Sequence, residues 1–141
     1  MKEEYFNILI KLAKKASKMD EVPISAIIVK NNKIIAKAIN KREKEQNVLN
    51  HAEIIAIKKA SRKLKNWRLF DCDLYVTLKP CNMCENIIKQ SRLRNVYYLL
   101  DKPETKKEYD KTQFVKTNIC TYEQMYSKIL TDFFQKKRDK K

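Results

Sequence analysis

The sequence predicts an α/β domain with helices layered on one sheet. Two observations carry this. Apolar blocks of helical and strand-like spacing alternate in the order helix, hairpin, helix, strand, helix, strand, loop or short strand, helix. The chain has 141 residues, 43% hydrophobic and 35% charged, enough apolar side chains for one core at about 150 residues per domain. No repeat and no Gly/Ser/Pro-rich linker interrupts it, so a single domain over residues 1–141 is expected, with a basic tail at 136–141.

The first helix spans Glu3 to Lys18, with Phe6, Leu9, Ile10 and Ala13 on one face and Lys11, Lys14, Lys15 and Lys18 free to stay in water. Asp20 to Pro23 breaks it, because a residue before proline disfavours helix. Ile24 to Val29 reads as a buried strand and Lys33 to Ile39 as its return. Between them Asn31-Asn32 suits a tight hairpin turn, since asparagine tolerates positive φ. After a polar connection over Asn40 to Asn50, His51 to Leu64 reads as a helix, and Asp73 to Leu78 as a strand. Pro80 can open a helix that runs through Ile87 and Ile88, because its missing N–H costs little in the first turn. Asn95 to Leu100 is a fourth strand and Asp101 to Lys116 a lysine-rich loop. Phe114 to Cys120 could hold a fifth, short strand. Thr121 with Gln124 forms a candidate capping box for a last helix reaching about Lys137.

The 32 basic and 17 acidic residues leave a net charge of +15, well above the ~2–8 usual for a small domain. Such an excess attracts polyanions, nucleic acid first and anionic membrane second. A lysine-rich proteome would give the same excess, and the absence of glycine points to a biased genome. No apolar run approaches the ~20 residues of a membrane span, and the charged start of the chain leads into no signal-peptide core. A cytoplasmic protein without membrane association is expected.

Chemistry concentrates in two short blocks. His51-Ala52-Glu53 opens one helix and Pro80-Cys81-Asn82-Met83-Cys84 opens another. Without a signal peptide, Cys81 and Cys84 read as a metal-binding or redox pair rather than a disulfide, and Cys72 and Cys120 as ordinary buried thiols. Two cysteines one helical turn apart and an imidazole from a facing helix make three ligands, leaving the fourth tetrahedral position open, as in a catalytic zinc site. Glu53, two residues from His51, can reach the same cavity without binding the metal and act as general acid and base. Each piece alone has a plainer explanation: Glu53 could complete a capping box with Asn50, His51 could simply pack, and Cys81-x-x-Cys84 could be redox-active or half of a zinc finger. Taken together they point to catalytic zinc, because a redox pair needs neither His51 nor Glu53.

His-x-Glu followed by Pro-Cys-x-x-Cys is the signature of zinc deaminases. Further blocks narrow the likeness: Glu21-Val-Pro-Ile-Ser-Ala-Ile-Ile-Val29, Asn40, His51 to Ile57, Leu74 to Leu78, Ser91-Arg92 and Leu130-Thr-Asp-Phe-Phe134. Over nearly the whole chain, the sequence resembles the bacterial tRNA-specific adenosine deaminases of the cytidine/deoxycytidylate deaminase superfamily. That resemblance implies a three-layer cytidine-deaminase-like domain with a five-stranded mixed sheet flanked by helices, and a homodimer. It implies one zinc ion per chain on His51, Cys81 and Cys84, with Glu53 as proton shuttle while zinc hydroxide attacks C6 of adenine. The reaction implied is adenosine to inosine at the wobble position of a tRNA, typically an arginine tRNA with an ACG anticodon. Asn40 matches the asparagine that holds the flipped base, although a strand-end turn would also suit it. Phe133 and Phe134 match an aromatic pair near the anticodon. Phe134 is the candidate contact, and helical spacing suggests that at least one of the two is core.

The sequence departs from the family at several places. Ser25 replaces a glycine, Asn47-Val48-Leu49-Asn50 replaces Asp-Pro-Thr-Ala, and Lys79 replaces a common glutamate. The loop after the fourth strand is shortened and puts Asp101 or Lys102 where the family has an RNA-contacting aspartate. A deaminase of free nucleobases or nucleotides (cytosine, guanine, dCMP) and a non-catalytic zinc-stabilised RNA-binding module are the alternatives. Asn40, the basic tail and the Leu-Thr-Asp-Phe-Phe block speak against the first, and Glu53 against the second.

Overall fold

The computed structural model describes residues 2–101 and 111–139. The chain divides into two compact units, Met1–Thr105 and Lys106–Lys141. The first unit contains α1 (Glu3–Lys18), β1 (Ser25–Lys30), β2 (Lys33–Ile39), α2 (Ala52–Leu64), β3 (Cys72–Leu78), α3 (Asn82–Gln90) and β4 (Asn95–Leu100). Its sheet has the order β2-β1-β3-β4. β1 pairs antiparallel with both β2 and β3, whereas β3 and β4 run parallel, joined through α3. The sheet is therefore mixed.

Strand alternation splits the core in two. Ala26, Ile28, Leu74 and Val76 join Ala52, Ala56, Ala60, Cys84 and Ile88 of α2 and α3 on one face. Ile27, Val29 and Tyr75 meet Tyr5 and Leu9 of α1 on the other. This period of two makes three layers from a sheet buried on both sides.

A chain without glycine must place other residues in left-handed backbone. Asn31 (φ 51°) and Asn32 (φ 62°) form the hairpin turn expected of them, and Lys65 (φ 52°) ends α2 in the αL conformation. Ser25 is fully buried, and its hydroxyl donates to the Leu9 carbonyl at 2.7 Å. That bond makes a buried polar side chain tolerable beneath α1. Arg94 holds the Asp73 carboxylate through two bonds of 3.1 and 3.0 Å. This fork, with help from Asn95, keeps the Asp73 carboxyl below the usual carboxylate range and ties the starts of β3 and β4 together.

Several expectations need correction. The described residues form four strands, not five. The segment predicted as a strand over Phe114 to Cys120 joins no ladder: Phe114 is 96% and Val115 77% exposed, and its apolar residues sit in adjacent pairs at its two ends, separated by Lys, Thr and Asn, so they do not alternate to give one face to bury. In the second unit α4 (Cys120–Asp139) starts before Thr121. Thr121 thus lies inside the first turn and cannot flank it as an N-cap, so the Thr121–Gln124 capping box is not made. Cys72 is buried as expected, but Cys120 is exposed. Phe133 and Phe134 touch edge-to-face at 5.4 Å, and neither is core. Residues 102–110 of the lysine-rich loop, and Lys140 and Lys141 of the tail, lie outside the described residues. Among the described residues no helix is long and apolar enough to cross a membrane.

Candidate active site

The two motif blocks sit at two helix N-termini. His51 flanks α2 and Cys81 flanks α3, each with extended backbone. Neither uses its side chain to cap its own helix, so the imidazole and the thiol are available elsewhere. His51 Nδ1 lies 3.5 Å from Cys84 Sγ and 4.0 Å from Cys81 Sγ, and the three donor atoms lie within 4.8 Å of one another. Two atoms bound to one zinc at ~2.0–2.3 Å each stand roughly 3.5 Å apart at a tetrahedral angle. The triad is thus the right size to hold one ion, and N/S donors are the set that zinc takes.

Electrostatics agree with a bound cation. Cys84 is fully buried, and burial raises its thiol pKa far above normal, with the nearby charges of Glu53 and Cys81 adding to the rise. The positive ends of α2 and α3 act in the opposite direction. A divalent cation among the three donors would stabilise the thiolates.

Glu53 supplies the second observation. Its side chain is buried, and Oε1 has no hydrogen-bond partner among the described residues. An orphaned buried carboxylate oxygen is costly, which fits a group meant to meet a ligand. The plainer explanation is not realised. Asn50 does not form a capping box with Glu53, because α2 begins at Ala52 and the Asn50 amide donates to Glu45 Oε2 at 2.8 Å. Glu53 and His51 line one cavity of about 140 Å³ with Asn40, Arg42, Val22 and Ile24. That is small beside the ~300–1,000 Å³ that enclose a drug-sized molecule. It suits one flat group presented from outside.

The first unit therefore brings together four of the residues singled out in the sequence (His51, Glu53, Cys81 and Cys84), with Asn40 on the same cavity. Asn40 also serves as a turn residue, since its Oδ1 accepts the Arg42 N–H at 3.1 Å. Phe134 belongs to the second unit, where it is exposed. Arg42 and Val22 were not singled out in the sequence. An Asn-x-Arg step after a strand carries a hint of the Asx turn that directs Arg42, whereas Val22 carries none.

A family model for MafB19-like deaminases matches residues 1–138. The chain belongs to that family. Among curated relatives, the tRNA-specific adenosine deaminase of Bacillus subtilis (strain 168) is 47% identical over 96 residues, covering 68% of this chain and 60% of that protein. The chain thus matches about three fifths of that relative's length. A solved structure from a study of A-to-I editing by tRNA:A34 deaminases at the wobble position superposes with a TM-score of 0.71 at 37% identity, covering 73% of this chain and 75% of the other. The guanine deaminase of Bacillus subtilis superposes at 0.73 with 27% identity, covering 91% and 95%. This family member therefore has the α/β deaminase fold, with a mixed sheet and flanking helices, and a His/Cys/Cys group able to hold a metal.

Proposed function

We propose that the chain is a single zinc-dependent deaminase domain that converts adenosine to inosine at the wobble position of a tRNA anticodon. The observation that carries this is the pairing of the His51–Cys81–Cys84 triad with the unpartnered Oε1 of Glu53 beside one small cavity. The match over residues 1–138 and the names of the relatives support the reaction class and the substrate.

His51, Cys81 and Cys84 would hold zinc, which when bound supplies Lewis acidity that makes water a nucleophile near neutral pH. Glu53 Oε1 would accept a proton from the attacking water and deliver it to N1 of the adenine. Once the water oxygen has bonded to C6, its remaining proton would pass through Glu53 to the amino group, which would leave as ammonia as the C6–N bond breaks and C6 keeps the oxygen as a carbonyl. Asn40, with Oδ1 engaged by Arg42 N–H, keeps Nδ2 to donate to the base. A cavity of this size suits a base flipped out of an already single-stranded loop, where unstacking costs little. The reading extends to an arginine tRNA with an ACG anticodon, to Phe134 as an anticodon contact, to a homodimer and to a cytoplasmic location.

The overlap with guanine deaminase favours one alternative, a deaminase of free bases. Incubating the protein with an adenosine-containing anticodon stem-loop, adenosine, guanine and dCMP, and assaying ammonia and product, separates the two. Turnover of the stem-loop alone supports the tRNA reading, and turnover of guanine alone refutes it.

The positive charge has a role in this reading. Lysines gathered in Lys102–Lys116 and Lys136–Lys141 would neutralise phosphates, so stem-loop affinity should fall with a log–log salt slope of about −0.7 to −0.9 per contact. Truncation after Gln135 is expected to weaken binding and flatten the slope, with zinc content unchanged. An unchanged slope would show that the tail merely reflects a lysine-rich surface.

A further inference from the structure

Glu21 takes no part in the chemistry above, yet it is a carboxylate that is only 4% exposed. A buried charge persists only where hydrogen bonds replace water. Both of its oxygens are engaged by main-chain amides: Oε1 accepts the Glu43 N–H at 3.0 Å and Oε2 the Lys44 N–H at 2.7 Å. These amides belong to the loop that leaves β2 at Asn40 and closes where the Lys41 N–H reaches the Asn50 carbonyl at 3.0 Å. From Arg42 to Leu49 every residue of the loop is exposed. Hydrogen bonds rather than packing therefore set its shape.

Along this loop Asn40, Arg42 and Glu43 line the cavity beside His51 and Glu53. Asn40 is anchored through its own N–H, which donates to the Ile24 carbonyl at 3.0 Å. Bonds within the loop follow: Lys41 N–H to the Asn50 carbonyl, Arg42 N–H to Asn40 Oδ1 and Asn47 N–H to the Arg42 carbonyl, and immediately after Arg42 the Glu21 carboxylate takes the next two amides. Bonds internal to the loop shape the cavity wall, and two contacts tie it to residues that precede β2: the Ile24 carbonyl at Asn40 and the Glu21 side chain of the α1–β1 connection at Glu43 and Lys44.

We propose that Glu21 is a positioning residue: its carboxylate clamps the 43–44 amides and so holds Asn40 and Arg42 in register with the base-binding cavity. This rests on the deaminase reading for its substrate, but the clamp is a property of the loop. Because the loop adds no apolar side chain to the core, releasing it should loosen the cavity wall and leave the fold and the metal triad in place.

The test compares the full chain with Glu21→Ala and Glu21→Gln. Hydrogen exchange at the amides of residues 43 and 44, zinc content and melting temperature need no substrate. KM and kcat are measured on an anticodon stem-loop carrying adenosine at the wobble position. Charge-assisted bonds support a loss of about tenfold. In Glu21→Ala the two amides should exchange at least about tenfold faster and KM should rise about tenfold, with kcat within about threefold and zinc retained. Glutamine keeps one accepting oxygen, so Glu21→Gln should slow one amide again and give an intermediate KM. It also serves as the test if the alanine variant fails to fold. Unchanged KM despite faster exchange would overturn the proposal, as would activity lost only in proportion to zinc. If the wild-type chain shows no turnover, the deaminase reading fails, while the exchange rates still decide whether Glu21 is the anchor.

Discussion

Replacing Glu53 with glutamine is expected to leave zinc content and melting temperature near wild type while lowering turnover by at least about 10²–10⁴-fold, the usual worth of a positioned acid–base group. The loss should sit near or beyond the upper figure, because the same carboxylate serves two proton transfers in the proposed cycle. Glutamine has nearly the same shape and can occupy the same buried site at the start of α2, but it cannot carry a proton. The orphaned state of Oε1 sharpens the expectation. Glu53 gains nothing from that oxygen in the free protein, so the substitution costs no internal hydrogen bond there and should not destabilise the fold. Single-turnover kinetics on the stem-loop with metal analysis of the same sample check this. A rate near wild type would reduce Glu53 to a buried carboxylate without a catalytic role.

The second large effect is loss of metal. Cys81→Ala removes one of three donors from a triad with no fourth candidate among the described residues, so zinc retention and activity should both collapse. Cys72→Ala is the matched control. Cys72 is fully buried in the core with Leu69 and Leu74, and its sulfur is not one of the three clustered donors. Its loss should cost about 1 kcal/mol as a small cavity and lower the melting temperature while one zinc per chain remains. Cys120→Ala, at an exposed position, should change neither. Zinc quantified per chain for the three variants decides the matter, and equal zinc loss from Cys72→Ala would sink the ligand assignment.

The legible parts of this molecule were those whose cause is local. Asn31-Asn32 announces a left-handed turn, because few residues other than glycine accept that backbone. The alternation of Ala26 and Ile28 with Ile27 and Val29 announces a sheet covered on both faces. The triad was legible because each motif block fixes its residues relative to a helix start, and two helix starts can face one another across a parallel crossover. What escaped depends on partners distant in sequence. Nothing around Glu21 shows that its carboxylate will meet amides 22 and 23 residues away. The choice between Glu53 as a cap and Glu53 as a carboxylate with an unpartnered Oε1 turned on a shift of one residue in the start of α2, with Asn50 bonding Glu45. The fifth strand and the Thr121 capping box failed for a related reason. Local propensity cannot supply the neighbouring ladder that Phe114 and Val115 would need, nor forbid a helix from starting at Cys120.

The measurement that tests the central claim most directly is sequencing of cDNA made from total tRNA after incubation with the purified full chain, alongside the Glu53→Gln variant. The account predicts adenosine read as guanosine at the wobble position, confined to tRNAs that carry adenosine there and absent with the variant. Wobble adenosines left unconverted by a chain that holds one zinc ion, or equal conversion by the Glu53→Gln chain, would contradict it.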